Sequence, residues 1–193
     1  MIINHSTISN IDVNMVKILI TSIPRNLKPK LGTPTIHLTN SLFHSFCLMY
    51  SKYPTTGDKS EEEFFDFCRK QKVWAFSCMP TKDSGDVYLA LKERKNRDIS
   101  FFSIEHTIFH EIGHLFHYGN GINIYGSMDV EHEALSDIYA NACMINLFNK
   151  TKTNGMLSKF SEKSMKILKE IKIKESDKLL CLAETIYRKY GVL

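Results

Sequence analysis

Residues 101–118 read FFSIEHTIFHEIGHLFHY. At about 100° per residue, Phe101, Ile104, Ile108, Ile112 and Leu115 fall on one stripe of a helix. His106, His110, His114 and His117 fall on a second stripe, roughly opposite, where an ordinary surface helix carries Lys and Glu. Phe102, Phe109 and Phe116 widen the apolar coverage. The segment therefore predicts a mostly buried helix whose histidine face looks into a cleft. His110 and His114 are four residues apart, hence about 40° apart around the axis and one turn along it. Two imidazole nitrogens so placed can converge on one metal ion. Glu111, beside them, is placed to hold a water next to that ion and take its proton. By composition, this H-E-x-x-H spacing arises by chance roughly 0.02 times in such a chain. The plain alternative is a helix with two solvated histidines.

Residues 131–140, EHEALSDIYA, add a second element. Catalytic zinc takes three protein ligands and leaves one position open, and Glu133 is the candidate third ligand. Asp137 follows one turn later and faces the same way, so it can accept the outer N–H of a ligand histidine and fix its tautomer. Glu131 is a rival for the ligand role but has no Asp four residues on. Ala134 and Ala140 keep this helix slim. Gly113 does the same for the first helix, at about 1 kcal/mol of helix propensity. Close contact of two helices around one ion is expected.

The pair H-E-x-x-H and E-A-x-S-D resembles the pattern of the gluzincin metallopeptidases. Residues 133–139 are similar to the third-ligand helix of thermolysin-like enzymes. The upstream order resembles the ImmA/IrrE family: a short strand at 87–91, a basic turn, an aromatic-led helix and HEIGH-L-x-H. The likeness spans about residues 70–150. The chain departs from it at Phe102-Ser103-Ile104-Glu105-His106-Thr107, where the family carries a shorter aromatic-Thr-x-Ala segment. Subfamily and partner stay open on that account. A metzincin reading fails, because it needs Gly at 117 and His at 120, where this chain has His117 and Asn120.

The resemblance implies an α+β fold: a mainly helical zincin-like core with a small β-sheet or hairpin ahead of the H-E-x-x-H helix. It implies a zinc metallopeptidase with one Zn²⁺ per chain on His110, His114 and Glu133. Glu111 would be the general base and Asp137 the support of a ligand histidine. Gluzincins place a Tyr or His against the oxyanion, and Tyr125, His117 and His132 are the candidates. The strand at 86–91 is expected to form the cleft edge, where a peptide substrate can add through main-chain hydrogen bonds. The implied substrate is a protein or peptide, with a DNA-binding repressor among the partners this family acts on. The alternative is a regulatory or partner-binding module with little hydrolytic activity of its own. A third reading is a secreted effector that cleaves one host protein.

Composition bounds these readings. The chain has 193 residues, 43% hydrophobic and 24% charged, with net charge +4. It reads as one globular domain over 1–193, with a catalytic core at about 70–150 and a C-terminal helical segment at 151–193. The charge is too mild to predict nucleic-acid binding, and the lysine-rich stretch 156–174 reads as a solvated face. Cys47, Cys68, Cys78, Cys143 and Cys181 form no C-x-x-C and have apolar neighbours, which reads as reduced core thiols of a cytoplasmic protein. The apolar run at 15–23 is broken by Lys17, Thr21 and Ser22, too short to span a bilayer, and no signal peptide is read.

Along the rest of the chain, a helix within 1–23 is expected, capped by Ser9 or Asn10 and ended by Pro24. A linker at 25–30, a strand at 35–38 and a helix at 40–53 follow. His37 and His44 read as isolated core or surface histidines. A capping box at Ser60 and Glu63 opens a helix to about 71. Strands are expected at 73–78 and 86–91, and a charged turn at 92–98. A loop at 119–128 precedes a helix capped by Ser127 or Asp129 and ending near 148. Two amphipathic helices, 156–174 and 177–190, close the reading.

Overall fold

Tyr88 and Leu89 are adjacent in the chain, fully buried, and belong to different hydrophobic clusters. Strand alternation sends them to opposite faces of a sheet covered on both sides. The computed structural model describes residues 1–7, 10–30, 34–53, 73–81, 84–95, 104–120 and 130–148, with the isolated positions 63, 66, 69 and 70.

Four strands form the sheet: β1 (Ile2–Asn4), β2 (Thr35–Leu38), β3 (Ala75–Thr81) and β4 (Ser84–Leu89). Their spatial order is β1-β2-β4-β3. β1, β2 and β4 run parallel, while β3 returns antiparallel along β4. The described helices are α1 (Asn10–Ser22), α2 (Leu42–Lys52), α3 (Leu91–Lys95), α4 (Ile104–Gly119) and α5 (Val130–Phe148), with a 3-10 turn at Arg25–Leu27. The fold is α+β and mainly helical. Ile36, Leu38, Val87 and Leu89 face a core shared with Val16 and Leu19 of α1, Ile108 and Ile112 of α4, and Leu135 and Ile138 of α5. On the other face, Phe76 and Tyr88 pack under Leu42 and Phe46 of α2. Gly85 lets α4 approach: an added Cβ there would lie 2.7 Å from Leu115 Cδ2. Among the described residues no helix is long and apolar enough to cross a membrane.

Several expectations need correction. The two strands ahead of the metal helix run 75–81 and 84–89, so Leu91 leaves the sheet and opens α3 where a charged turn was expected. β4 is not the cleft edge. β2, far away in sequence, pairs with its outer side, and the edge falls to β3. β1 is a strand that no sequence signal announces, since three residues are too few for a period of two. His37 is a buried core histidine, one of the two readings expected, and its ring stacks on Tyr88 at 4.6 Å with its Nδ1 3.0 Å from His5 Nε2. Cys47 is exposed, unlike Cys143, which is buried. Ser41 caps α2 by accepting from His44 N at 3.1 Å, which puts the helix start at Leu42. The capping box at Ser60, the caps Ser127 and Asp129, the loop at 121–128 and the helices at 156–174 and 177–190 lie outside the described residues.

Under α2 the sheet buries Asp86, whose Oδ2 accepts from Lys52 Nζ at 2.6 Å and from Tyr53 Oη at 2.8 Å. Burial alone would raise this carboxyl, but the His37 ring nitrogen 3.7 Å away, hydrogen bonds from Lys52 and Tyr53 and the lysine charge hold it down at about 2. The stability it contributes is complete above the ordinary Asp value of about 3.9 and is lost as pH falls through about 2. Asp86→Asn should cost about 1–3 kcal/mol at neutral pH. The gap to the wild type should close toward pH 2 in denaturant unfolding, and a gap independent of pH would contradict this role.

Candidate metal centre

α4 is a helix because its apolar stripe is buried: Ile108, Ile112 and Leu115 are within the core, together with Phe109 and Phe116. α5 crosses it where Gly113 carries no side chain. A Cβ at Gly113 would lie 3.1 Å from Tyr139 Cδ1, 3.2 Å from Ser136 Cα and 3.3 Å from Ser136 O. Gly113 thus lies directly against Ser136, and Tyr139 fills the crossing beside them.

At this distance the polar faces of the two helices reach one another. His110 Nδ1 lies 2.8 Å from Asp137 Oδ1, and His114 Nδ1 lies 3.0 Å from Ser136 Oγ. Both rings are thus held through Nδ1, which turns both Nε2 atoms to the same place, 3.1 Å apart. Glu133 meets them there, with Oε2 3.0 Å from His110 Nε2 and Oε1 3.5 Å from His114 Nε2. One ligand atom from each of His110, His114 and Glu133 lies within 4.8 Å of the other two. Two imidazoles and a carboxylate are a donor set suited to zinc. The side chains are 14%, 12% and 49% exposed, so the site opens to solvent on the glutamate side.

The electrostatics follow from this packing. Burial opposes charge on His110, but hydrogen bonds to Asp137 and Glu133 and nearby negative charge raise its pKa well above the ordinary value. Burial and the His110 charge lower His114 to about 3, so it is a neutral imidazole. Glu133 is held near 2, because its hydrogen bond and attraction to His110 outweigh burial. Glu111 behaves differently. Burial, with the Glu133 charge adding to it, raises it to about 7, although His110 and hydrogen bonds from the Ser77 hydroxyl and backbone N–H act against the rise.

The oxyanion candidates divide. Tyr125 lies outside the described residues. His117 is 1% exposed, edge-on to Tyr139 at 6.0 Å, and its Nε2 has no hydrogen-bond partner among the described residues. Burial, then His114, His132 and His110, push its pKa well below the ordinary value, so it is neutral and points into packing rather than solvent. His132 is half-buried next to Glu133, with Nδ1 unpartnered. Glu131 lies among residues whose side chains are outside the description. Two contributors are absent from the sequence reading. Ser136 was seen only as part of a motif, yet it fixes His114. Ser77, from the edge strand β3, holds Glu111, and nothing in residues 73–78 signals it, because the contact exists only once β3 packs on α4. Comparison with protein families, with curated proteins and with solved structures finds no match to this chain.

Gly113→Val forces α5 away from α4, because the Ser136 backbone cannot give without moving its helix. The expected cost is about 1–3 kcal/mol of stability. Zinc affinity, measured by competition with a chelator, should fall with it. Raised His110 basicity means that a proton occupies the ligand nitrogen at neutral pH, so zinc binding should release about one proton. Calorimetry in buffers of different ionisation enthalpy reads that number, and affinity should rise with pH.

Proposed function

We propose that this protein is a zinc-dependent metallopeptidase of the zincin type, with the gluzincin ligand order, acting on a peptide bond in a protein or peptide substrate. The observation that carries the reading is the convergence of His110, His114 and Glu133 from two helices, with buried Glu111 beside them. Support for the zincin-type architecture comes from the small sheet packed on α4, with an antiparallel edge strand next to the site. When bound there, zinc lowers the pKa of a water toward neutrality and polarises a carbonyl.

The chain's own residues do the rest. Asp137 accepts from His110 Nδ1 and so holds that ring in the tautomer that presents Nε2, and Ser136 orients the His114 ring from its Nδ1 side. Glu111 sits near neutrality, the range in which a carboxylate can take a proton from water and return it to the leaving amine. Ser77 keeps that carboxylate aimed. β3 has one strand neighbour among the described residues, so its outer edge has N–H and C=O groups for an extended peptide. Half-exposed Glu133 leaves the approach open on the same side.

Metal content of the purified protein, by mass spectrometry, tests the reading directly. Wild type should carry one zinc per chain, and Glu133→Ala should bind it tenfold or more weakly. Glu111→Gln should keep metal and fold while hydrolysis of a peptide library falls by about 10²–10⁴-fold or more. A wild type that takes up no zinc at neutral pH would sink the enzyme. The partner-binding module would then lead, and salt-dependent DNA binding would be its signature.

A further inference from the structure

α4 carries a third histidine on the same face, one turn before the pair that meets Glu133. His106 is 4% exposed, and its Nε2 lies 3.1 Å from Oδ1 of Asn141, which is fully buried. Three cross-helix contacts therefore repeat one turn apart along the seam. They are His106 to Asn141 at 3.1 Å, His110 to Asp137 at 2.8 Å, and His114 to Glu133 at 3.5 Å. Partner numbers rise by four along α4 and fall by four along α5, as two antiparallel helices in one register require.

The seam raises a question of choice. His106 and His110 have the same i, i+4 spacing as His110 and His114, so α4 offers two overlapping metal pairs. What separates them is the residue α5 places opposite. His114 meets the carboxylate of Glu133, whereas His106 meets an amide oxygen. Glu133 can release the histidines and take the ion on its own charged oxygens, whereas the neutral Asn141 amide brings no charge to an ion, and its oxygen, which only accepts, keeps the hydrogen on the facing Nε2. A buried hydrogen bond is also directional and costly to break, and here neither partner can turn to water instead. Sliding α5 by one turn would break this bond.

We propose that the His106–Asn141 hydrogen bond positions the metal centre: it locks the register of α4 on α5 and withdraws His106 from the ion, so that metal binds only at His110, His114 and Glu133. As a statement about metal it rests on the function proposed above. As a statement about register it does not, and the experiment separates the two.

Zinc affinity is measured by chelator competition, thermal stability by melting without zinc, and register by the ring ¹⁵N–¹H spectrum of the histidines without zinc. In that spectrum the His110 Nδ1 proton, bonded to Asp137, reads the seam directly. His106→Gln keeps a donor facing the Asn141 oxygen and should hold zinc within about threefold of wild type, with the His110 signal retained. Asn141→Leu should lose that signal and bind zinc about ten- to a hundredfold more weakly, the usual consequence of disturbing a ligand's support. The double variant His106→Phe/Asn141→Leu removes both polar groups of the pair. It should melt close to wild type yet bind zinc at least tenfold more weakly, and it serves if the single variant does not fold. A folded double variant with wild-type zinc affinity and an unmoved His110 signal would overturn the proposal, reducing the pair to packing. Should wild type bind no zinc while the His110 signal follows the stated pattern, the register lock stands and the metallopeptidase reading fails.

Discussion

Where α4 crosses α5, Gly113 brings the two backbones to a separation that even a methyl group would crowd. Everything at the candidate site depends on that approach. Side chains as short as Ser136 and Asp137 reach imidazoles on the neighbouring helix only because the axes are close. Apolar packing supplies the force. Tyr139 fills the crossing, its ring 5.0 Å from Phe116 and its hydroxyl donating to Leu27 O at 2.7 Å. The polar groups select among the ways in which the two greasy surfaces could meet.

Two buried carboxylates show how context decides charge. Asp86, under α2, has a lysine and a tyrosine on one oxygen and is driven down to about 2. Glu111, on the other face of the sheet, has hydrogen bonds from Ser77 and the nearby His110 charge, but it also faces the negative charge of Glu133, and burial wins, raising it to about 7. The first arrangement fixes a structure, clamping the end of α2 to β4. The second leaves a proton that can come and go near neutral pH.

The sheet connects these two regions. β3 donates Ser77 to one face and Phe76 to the other, and it is an edge strand among the described residues, beside the histidine helix. β4, central and apolar on one side, carries Gly85 so that Leu115 of α4 can settle against it. Histidine appears in three settings: stacked in the sheet at His37, lining the seam at His106, His110 and His114, and packed without a partner at His117.

What the sequence determined by itself is local and periodic. The i, i+4 spacing of His110 and His114 dictates a shared face on any helix, the 133–137 spacing does the same for two carboxyls, and the apolar stripe through Ile108 and Ile112 dictates which side is buried. The strand at 35–38 and the helix after it are local readings of the same kind. Tertiary structure alone decided the long-range facts. It placed β2 against the outside of β4 and so moved the sheet edge to β3. It brought Ser77 to Glu111 and Ser136 to His114, joined His37 to His5 and Asp86, and turned His117 into packing. Those contacts link residues tens of positions apart whose side chains show no periodic signal. Their pairing depends on sheet order and helix register, which are set by the summed packing of the whole core and not by any one stretch of it.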